Sequence, residues 1–145
     1  MSVEALLTNS LRIALADLEA ARVLAAANNR NAIYHCEQAA EKIIRAVLTS
    51  EGVYAGVGHQ LEGMVDRVPD ENPTKQALRG VEYLAAYATT FRYPTTSGRI
   101  PRTPSQQELA DAVTRVEAVL LDVARRFEVD LADPSSLARR IGPIR

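Results

Sequence analysis

The stretch NAIYHCEQAAEKIIRAVLT, residues 31–49, decides the fold. Within it Ile33, Cys36, Ala40, Ile43, Ile44, Val47 and Leu48 recur at helical spacing. At 100° per residue they fall within an arc of about 140°, which is a clean amphipathic helix. Gln38, Glu41, Lys42 and Arg45 spread over its polar half. Cys36 lies inside the apolar arc and reads as a small buried hydrophobe rather than a nucleophile.

The same logic extends to either side. Ser2 is an N-cap for a first helix running to about Ala27, with Leu7, Leu11, Ala14, Leu15, Leu18, Ala21 and Ala25 as one stripe. Asn28 and Asn29 break it. After the second helix, SEGVYAGVG holds three glycines in nine residues and is a loop. HQLEGMVDRV reads as a short helix with Leu61, Val65 and Val68 inward. Asn72 then caps a further helix, with Pro73 at its first position and Leu78, Val81, Ala85, Ala88 and Phe91 on one side. Pro94 ends it, because the residue before a proline is pushed away from helical geometry. Residues 92–104, RYPTTSGRIPRTP, form a loop with three prolines, three arginines and no acid. Ser105 and Glu108 make a capping box for the last helix, which runs to about Val129 through Leu109, Val113, Val116, Leu120, Ala124 and Phe127. The pattern is all-α, an up-and-down four- to five-helix bundle over residues 1–129. Residues 130–145 are expected to be a loosely held C-terminal extension.

Composition agrees. A chain of 145 residues suits one domain, and a domain of that size buries about two-thirds of its unfolded surface. The formal charge of −1 gives no global signature of a nucleic-acid binder, so a polyanion site has to be a local patch. A single cysteine forms no internal disulfide, and a reducing cytoplasm is the simplest setting. The N-terminal MSVEALLTNS lacks the basic and apolar regions of a signal peptide. No apolar run approaches the roughly 20 residues that span a membrane. Two histidines and one cysteine show no paired ligand spacing, so no metal or other cofactor is expected.

The run AIYHCEQAAEKIIRAVL, a glycine-containing loop, His59-Gln60-Leu61 and then FRYP at 91–94 together resemble HEPN domains, the nucleotide-binding domains of higher eukaryotes and prokaryotes. The resemblance spans residues 11 to about 127. It implies a four- to five-helix bundle that forms a homodimer. Many HEPN domains are metal-independent endoribonucleases, often toxins paired with a minimal nucleotidyltransferase as antitoxin, and their active site uses an R-x4-6-H motif. Arg30-Asn31-Ala32-Ile33-Tyr34-His35 fits that motif, including the polar residue after the arginine. In the ribonuclease members the motif typically sits on a later helix; here it opens the second. Other HEPN domains have no catalytic activity and bind or assemble, docking a nucleotidyltransferase or holding a nucleotide.

Metal-free RNA cleavage needs a base for the 2′-hydroxyl, an acid for the leaving 5′-oxygen and a cation for the crowded phosphate. Histidine suits the proton work and arginine the phosphate. On that reading His35 is the acid/base, Arg30 steadies the phosphorane and Asn31 orients one of them, with a symmetric dimer doubling the set. Five residues turn a helix by about 140°, so Arg30 and His35 share no face of a regular helix. The alternative makes His35 a hydrogen-bonded, half-buried histidine and Arg30 a solvated one. Gln38, Glu41, Lys42 and Arg45 are either a solvated face with local ion pairs or a dimer or partner surface. His59 stands before a short helix, for an anion or for packing. Arg92 and Tyr93 finish a helix; with Arg99 and Arg102 they make the best local patch for an RNA backbone.

Overall fold

The computed structural model describes residues 2–58 and 60–145, with the side chains of Ala88 and Phe91 outside that description. His59 and those two side chains, all named from the sequence, therefore lie outside the described residues. The described chain is a helical bundle without a strand. Its helices are α1 (Val3–Ala26), α2 (Asn31–Ser50), α3 (Leu61–Asp66), α4 (Lys75–Arg79), α5 (Leu84–Arg92) and α6 (Gln106–Arg126). No helix among the described residues is long and apolar enough to cross a membrane.

The second helix is the hub, packing on α1, α3, α5 and α6. All seven apolar positions of its expected stripe are buried. Ala32, Ala39 and Ala46 are buried too, and α1 buries Ala14 and Ala21. Small side chains let two helices approach closely, and α1 with α2 is the most extensive pairing in the bundle. The short 27–30 connection makes them an antiparallel hairpin. On its other side α1 runs antiparallel to α6, because Arg22 pairs with Glu117 while the earlier Thr8 meets Ala138 in the tail.

The three long helices stop in the same way. Asn28 (φ 53°), Gly52 (φ 70°) and Glu128 (φ 53°) take the left-handed conformation just past each end. The following N–H then reaches back to Leu24, Leu48 and Ala124 carbonyls at 2.8, 3.0 and 2.9 Å. This satisfies carbonyls that the helix leaves open. Ser2 and Ser105 cap α1 and α6, each Oγ accepting an N–H at 3.1 Å.

Two expectations change. The single helix expected from Pro73 to Phe91 is two helices, α4 and α5. Between them Val81, Glu82, Leu84 and Ala85 donate to the carbonyl three residues back, the tighter spacing of a turn. Gly80 begins this stretch and is a poor helix former. Nor does Asn72 cap with Pro73 at the first helical position: Asn72 Oδ1 accepts from the Thr74 N–H at 2.9 Å in a turn, Thr74 holds the cap position without a side-chain cap bond, and the helix opens only at Lys75.

The tail is fastened rather than loose. Ala138 and Ile144 are buried. The Ala138 N–H donates to Thr8 Oγ1 at 2.8 Å, and Arg12 holds the Asp133 and Ser136 carbonyls. Arg145 makes a fork onto Glu51, at 2.8 and 3.2 Å. These bonds link residues 94 to 130 positions apart, and no local pattern announces them.

Candidate functional site

Where α1 and α2 lie side by side, Asp17 of α1 faces two residues of α2. Its Oδ2 accepts from Lys42 Nζ at 2.5 Å, and its Oδ1 stands 3.4 Å from His35 Nδ1. A carboxylate only accepts, so this contact favours the tautomer with its proton on Nδ1 and leaves Nε2 with a lone pair. The His35 side chain is 31% exposed and reachable from solvent. Lys42 also meets Gln38 Oε1 at 3.4 Å, and Gln38 Nε2 donates to Glu37 at 2.9 Å.

Tyr34 is the neighbour that joins this seam to a second feature. Its ring meets the His35 ring edge-on, with centroids 5.3 Å apart. The Arg92 guanidinium, at the end of α5, lies 4.8 Å from the same Tyr34 ring and 5.6 Å from the ring of Tyr93. Arg92 and His35 thus both contact one tyrosine ring. A guanidinium stacked on a ring keeps its N–H donors in its own plane, free for an oxyanion. Among the described residues no carboxylate pairs with Arg92.

Tyr34 and Arg92 form one end of a groove of about 740 Å³ between α2, α3 and α5. Glu37 and Gln38 continue its α2 wall, Gln60, Leu61 and Glu62 its α3 wall, and Tyr83, Ala86 and Thr89 its α5 wall. Arg79 also lines it but is paired with Asp66 at 2.5 Å and Glu82 at 2.9 Å. Burial holds the Tyr83 phenol above its ordinary range, against the opposing charge of Arg115, so it stays a neutral hydrogen-bonding group. The groove carries the Arg92 guanidinium beside Tyr34, and carboxylate and amide groups of Glu37, Gln38, Gln60, Glu62 and Glu82 along its walls. Among the described residues no three carboxylate, imidazole or thiol groups gather as a metal-ligand set.

The structure does not join Arg30 to His35 by any hydrogen bond. Arg30 has helical dihedrals (φ −59°, ψ −22°), so the five-residue separation points the two side chains apart. Asn31 is exposed, and its N–H is taken by Asn29 Oδ1 at 2.9 Å. The four polar residues of α2 are engaged within the chain. Lys42 holds Asp17, Glu41 accepts from Arg45 Nε at 3.2 Å, and Arg45 donates further to the Gly56 and Gly58 carbonyls at 2.8 Å each. Arg99 and Arg102 are exposed; Arg102 lies 3.6 Å from Glu108, and a turn closed by Thr95 and Arg99 shapes their loop. Sequence reading missed Asp17 and Tyr34. The signal for Asp17 was available: in an antiparallel hairpin it precedes the turn by roughly as far as Lys42 follows it.

The helix order, the α2 hub and the Tyr34–Arg92 juncture carry the residues on which the resemblance rested, and the sequence profile of the HEPN domain matches residues 7–126. The chain belongs to the HEPN domain family. No curated protein and no solved structure matches it. HEPN domains are nucleotide-binding or ribonuclease-like, and in this HEPN domain the FRYP segment supplies Arg92 while the AIYH segment supplies Tyr34 and His35. Two of the segments that carry the resemblance thus meet at one place in the bundle.

Proposed function

We propose that this HEPN domain binds a phosphate-bearing nucleotide unit, free or within RNA, in the groove between α2 and α5. The observation that carries the reading is Arg92 stacked on Tyr34 in the groove. Its in-plane N–H donors suit a phosphate. The groove's volume suits a mononucleotide. Elsewhere along its walls Gln60 and Tyr83 offer donors and acceptors to ribose hydroxyls or base edges. Arg99 and Arg102, exposed in the loop that follows α5, are further cations that a longer RNA would use.

A second reading is metal-independent RNA cleavage, favoured by the Asp17–His35 contact beside Tyr34. There His35 Nε2 takes the proton of a 2′-hydroxyl, the 2′-oxygen attacks phosphorus, and Arg92 rather than Arg30 steadies the charge. The 5′-oxygen leaves with a proton from a second acid, which His35 of another copy would supply in a homodimer. In this reading the protein is the toxin of a pair with a minimal nucleotidyltransferase. In the first, the same bundle serves such a partner as a binding module.

The test is titration of ATP and of a short single-stranded RNA into the protein with excess chelator, alongside Arg92→Ala and His35→Ala. Binding of either ligand that Arg92→Ala abolishes supports the groove. Failure of both ligands to bind sinks it. Chelator-resistant release of 2′,3′-cyclic phosphate ends, lost in His35→Ala, selects cleavage; intact RNA selects the binding module.

A further inference from the structure

The loop between α2 and α3 is held by two arginines. Arg67, just past α3, donates to the Tyr54 and Ala55 carbonyls at 2.9 and 2.7 Å. Arg45, on α2, donates to the Gly56 and Gly58 carbonyls at 2.8 Å each. Four carbonyls of one short loop are thus satisfied from below, while Tyr54 and Val57 stay 76% and 86% exposed. Val53 and Ala55 pack partly against the core and hold the start of the loop, whereas the exposed end at Gly56–Gly58 is held through the arginine contacts of its carbonyls.

Arg45 differs from Arg67 in what it connects. It lies on the α2 face that also carries Tyr34 and Gln38, about three and two turns from them along the helix. Its Nε is aligned by the buried Glu41 carboxylate, 3.2 Å away. Its two terminal nitrogens then reach across to the chain two residues ahead of Gln60. Gln60 opens α3 and, with Leu61 and Glu62, forms the wall facing Tyr34 and Gln38.

We infer that Arg45 is a positioning residue for the groove: it fixes the 56–58 segment against α2 and so sets the distance between the Gln38 wall and the Gln60 wall. This rests on the groove being the nucleotide site. The guanidinium uses three separate N–H directions at once, toward Glu41, Gly56 and Gly58. A lysine ammonium has the charge but not the planar fork that reaches both carbonyls.

The experiment measures ATP and short-RNA affinity for the unmutated protein, Arg45→Lys, Gln60→Ala and the double variant, with Arg92→Ala as the control for the site itself. Chymotryptic cleavage after Tyr54 reads the loop independently of any ligand. Arg45→Lys is expected to bind on the order of tenfold more weakly, with its melting temperature little changed and cleavage after Tyr54 faster. In the Gln60→Ala background the lysine substitution is expected to add nothing, because its effect runs through that wall. Unchanged affinity in Arg45→Lys, while Arg92→Ala loses binding, overturns the positioning role and leaves the groove standing. An equal loss with and without Gln60 also overturns it, as does an unaltered cleavage rate after Tyr54. No binding by the unmutated protein removes the groove and this role together.

Discussion

The guanidinium carbon of Arg92 stands 4.8 Å from the centroid of the Tyr34 ring, joining the last turn of α5 to the first turns of α2. These two residues lie far apart in the chain, and their stacking closes one end of the groove. The contact needs a ring and not a hydroxyl. Such pairs contribute about 0.5–2 kcal/mol, more when shielded from water. Tyr34→Phe is therefore expected to keep nucleotide affinity within about twofold, and Tyr34→Leu to weaken it about tenfold. Isothermal titration with ATP decides it. Equal losses in both variants would show that the hydroxyl, not the ring, matters.

Asp17 serves two cationic or potentially cationic partners, Lys42 at 2.5 Å and His35 at 3.4 Å, and its side chain is only 19% exposed. Asp17→Asn leaves Lys42 half-buried without its counter-charge. The expected cost is about 1–3 kcal/mol in urea denaturation. Lys42→Met in addition should recover part of that loss, because it removes the stranded ammonium. If the protein cleaves RNA, Asp17→Asn should slow cleavage while leaving ATP affinity unchanged, since Asp17 does not line the groove. Greater loss in the double variant than in Asp17→Asn would contradict this account.

Periodicity made the bundle legible. The stripes of α2 and α6 have the helical period, and Ser2, Asn28 and Ser105 mark ends by side-chain chemistry local to the chain. The break at Gly80 was harder to read, because Leu78, Val81 and Ala85 keep an inward spacing through the turn. The tail and the site were hidden for another reason. Thr8 to Ala138, Glu51 to Arg145, Asp17 to His35 and Tyr34 to Arg92 are all pairings between elements. A polar residue on an amphipathic helix looks the same whether water or a distant arginine satisfies it. The Arg30–His35 spacing was visible for the opposite reason: it is local, and the helix that contains it is what separates the two side chains.

Glu51 makes the tail's attachment sensitive to acid. Its side chain is only 2% exposed. Burial by itself would raise its pKa, but hydrogen bonds from Arg145 and Asn72, the charge of Arg145 and the Ile144 N–H outweigh it and hold the carboxyl below its ordinary range. A lowered folded-state pKa means that this stabilisation is fully present above the unfolded-state value and is lost as pH falls through the folded one. Glu51→Gln should lower stability at neutral pH by about 1–3 kcal/mol. It should also flatten the fall in melting temperature below about pH 4.5. Deleting residues 142–145 is expected to act in the same direction. Parallel pH profiles for Glu51→Gln and the unmutated protein would rule the latch out.

Cys36 offers a probe of the α2 hub that does not depend on any ligand. It is fully buried, and burial pushes its thiol up to about 12. Only the thiolate reacts with iodoacetamide, and at pH 8 a thiol of that pKa is ionised to about one part in ten thousand. Burial blocks the reagent as well, so modification of the folded protein has to wait for the helices around α2 to open. Labelling at pH 8 is therefore expected to be slower than for the urea-unfolded chain by a factor of at least about a thousand. Its rate should climb with urea in step with global unfolding. Cys36→Ala, which keeps a small apolar side chain in the same arc, should cost about 1 kcal/mol, whereas Cys36→Asp should prevent folding by stranding a charge in the core. Full labelling of the native protein within minutes would mean that α2 opens to solvent on its own, and the groove walls it carries would then be too mobile to hold a nucleotide in the manner proposed.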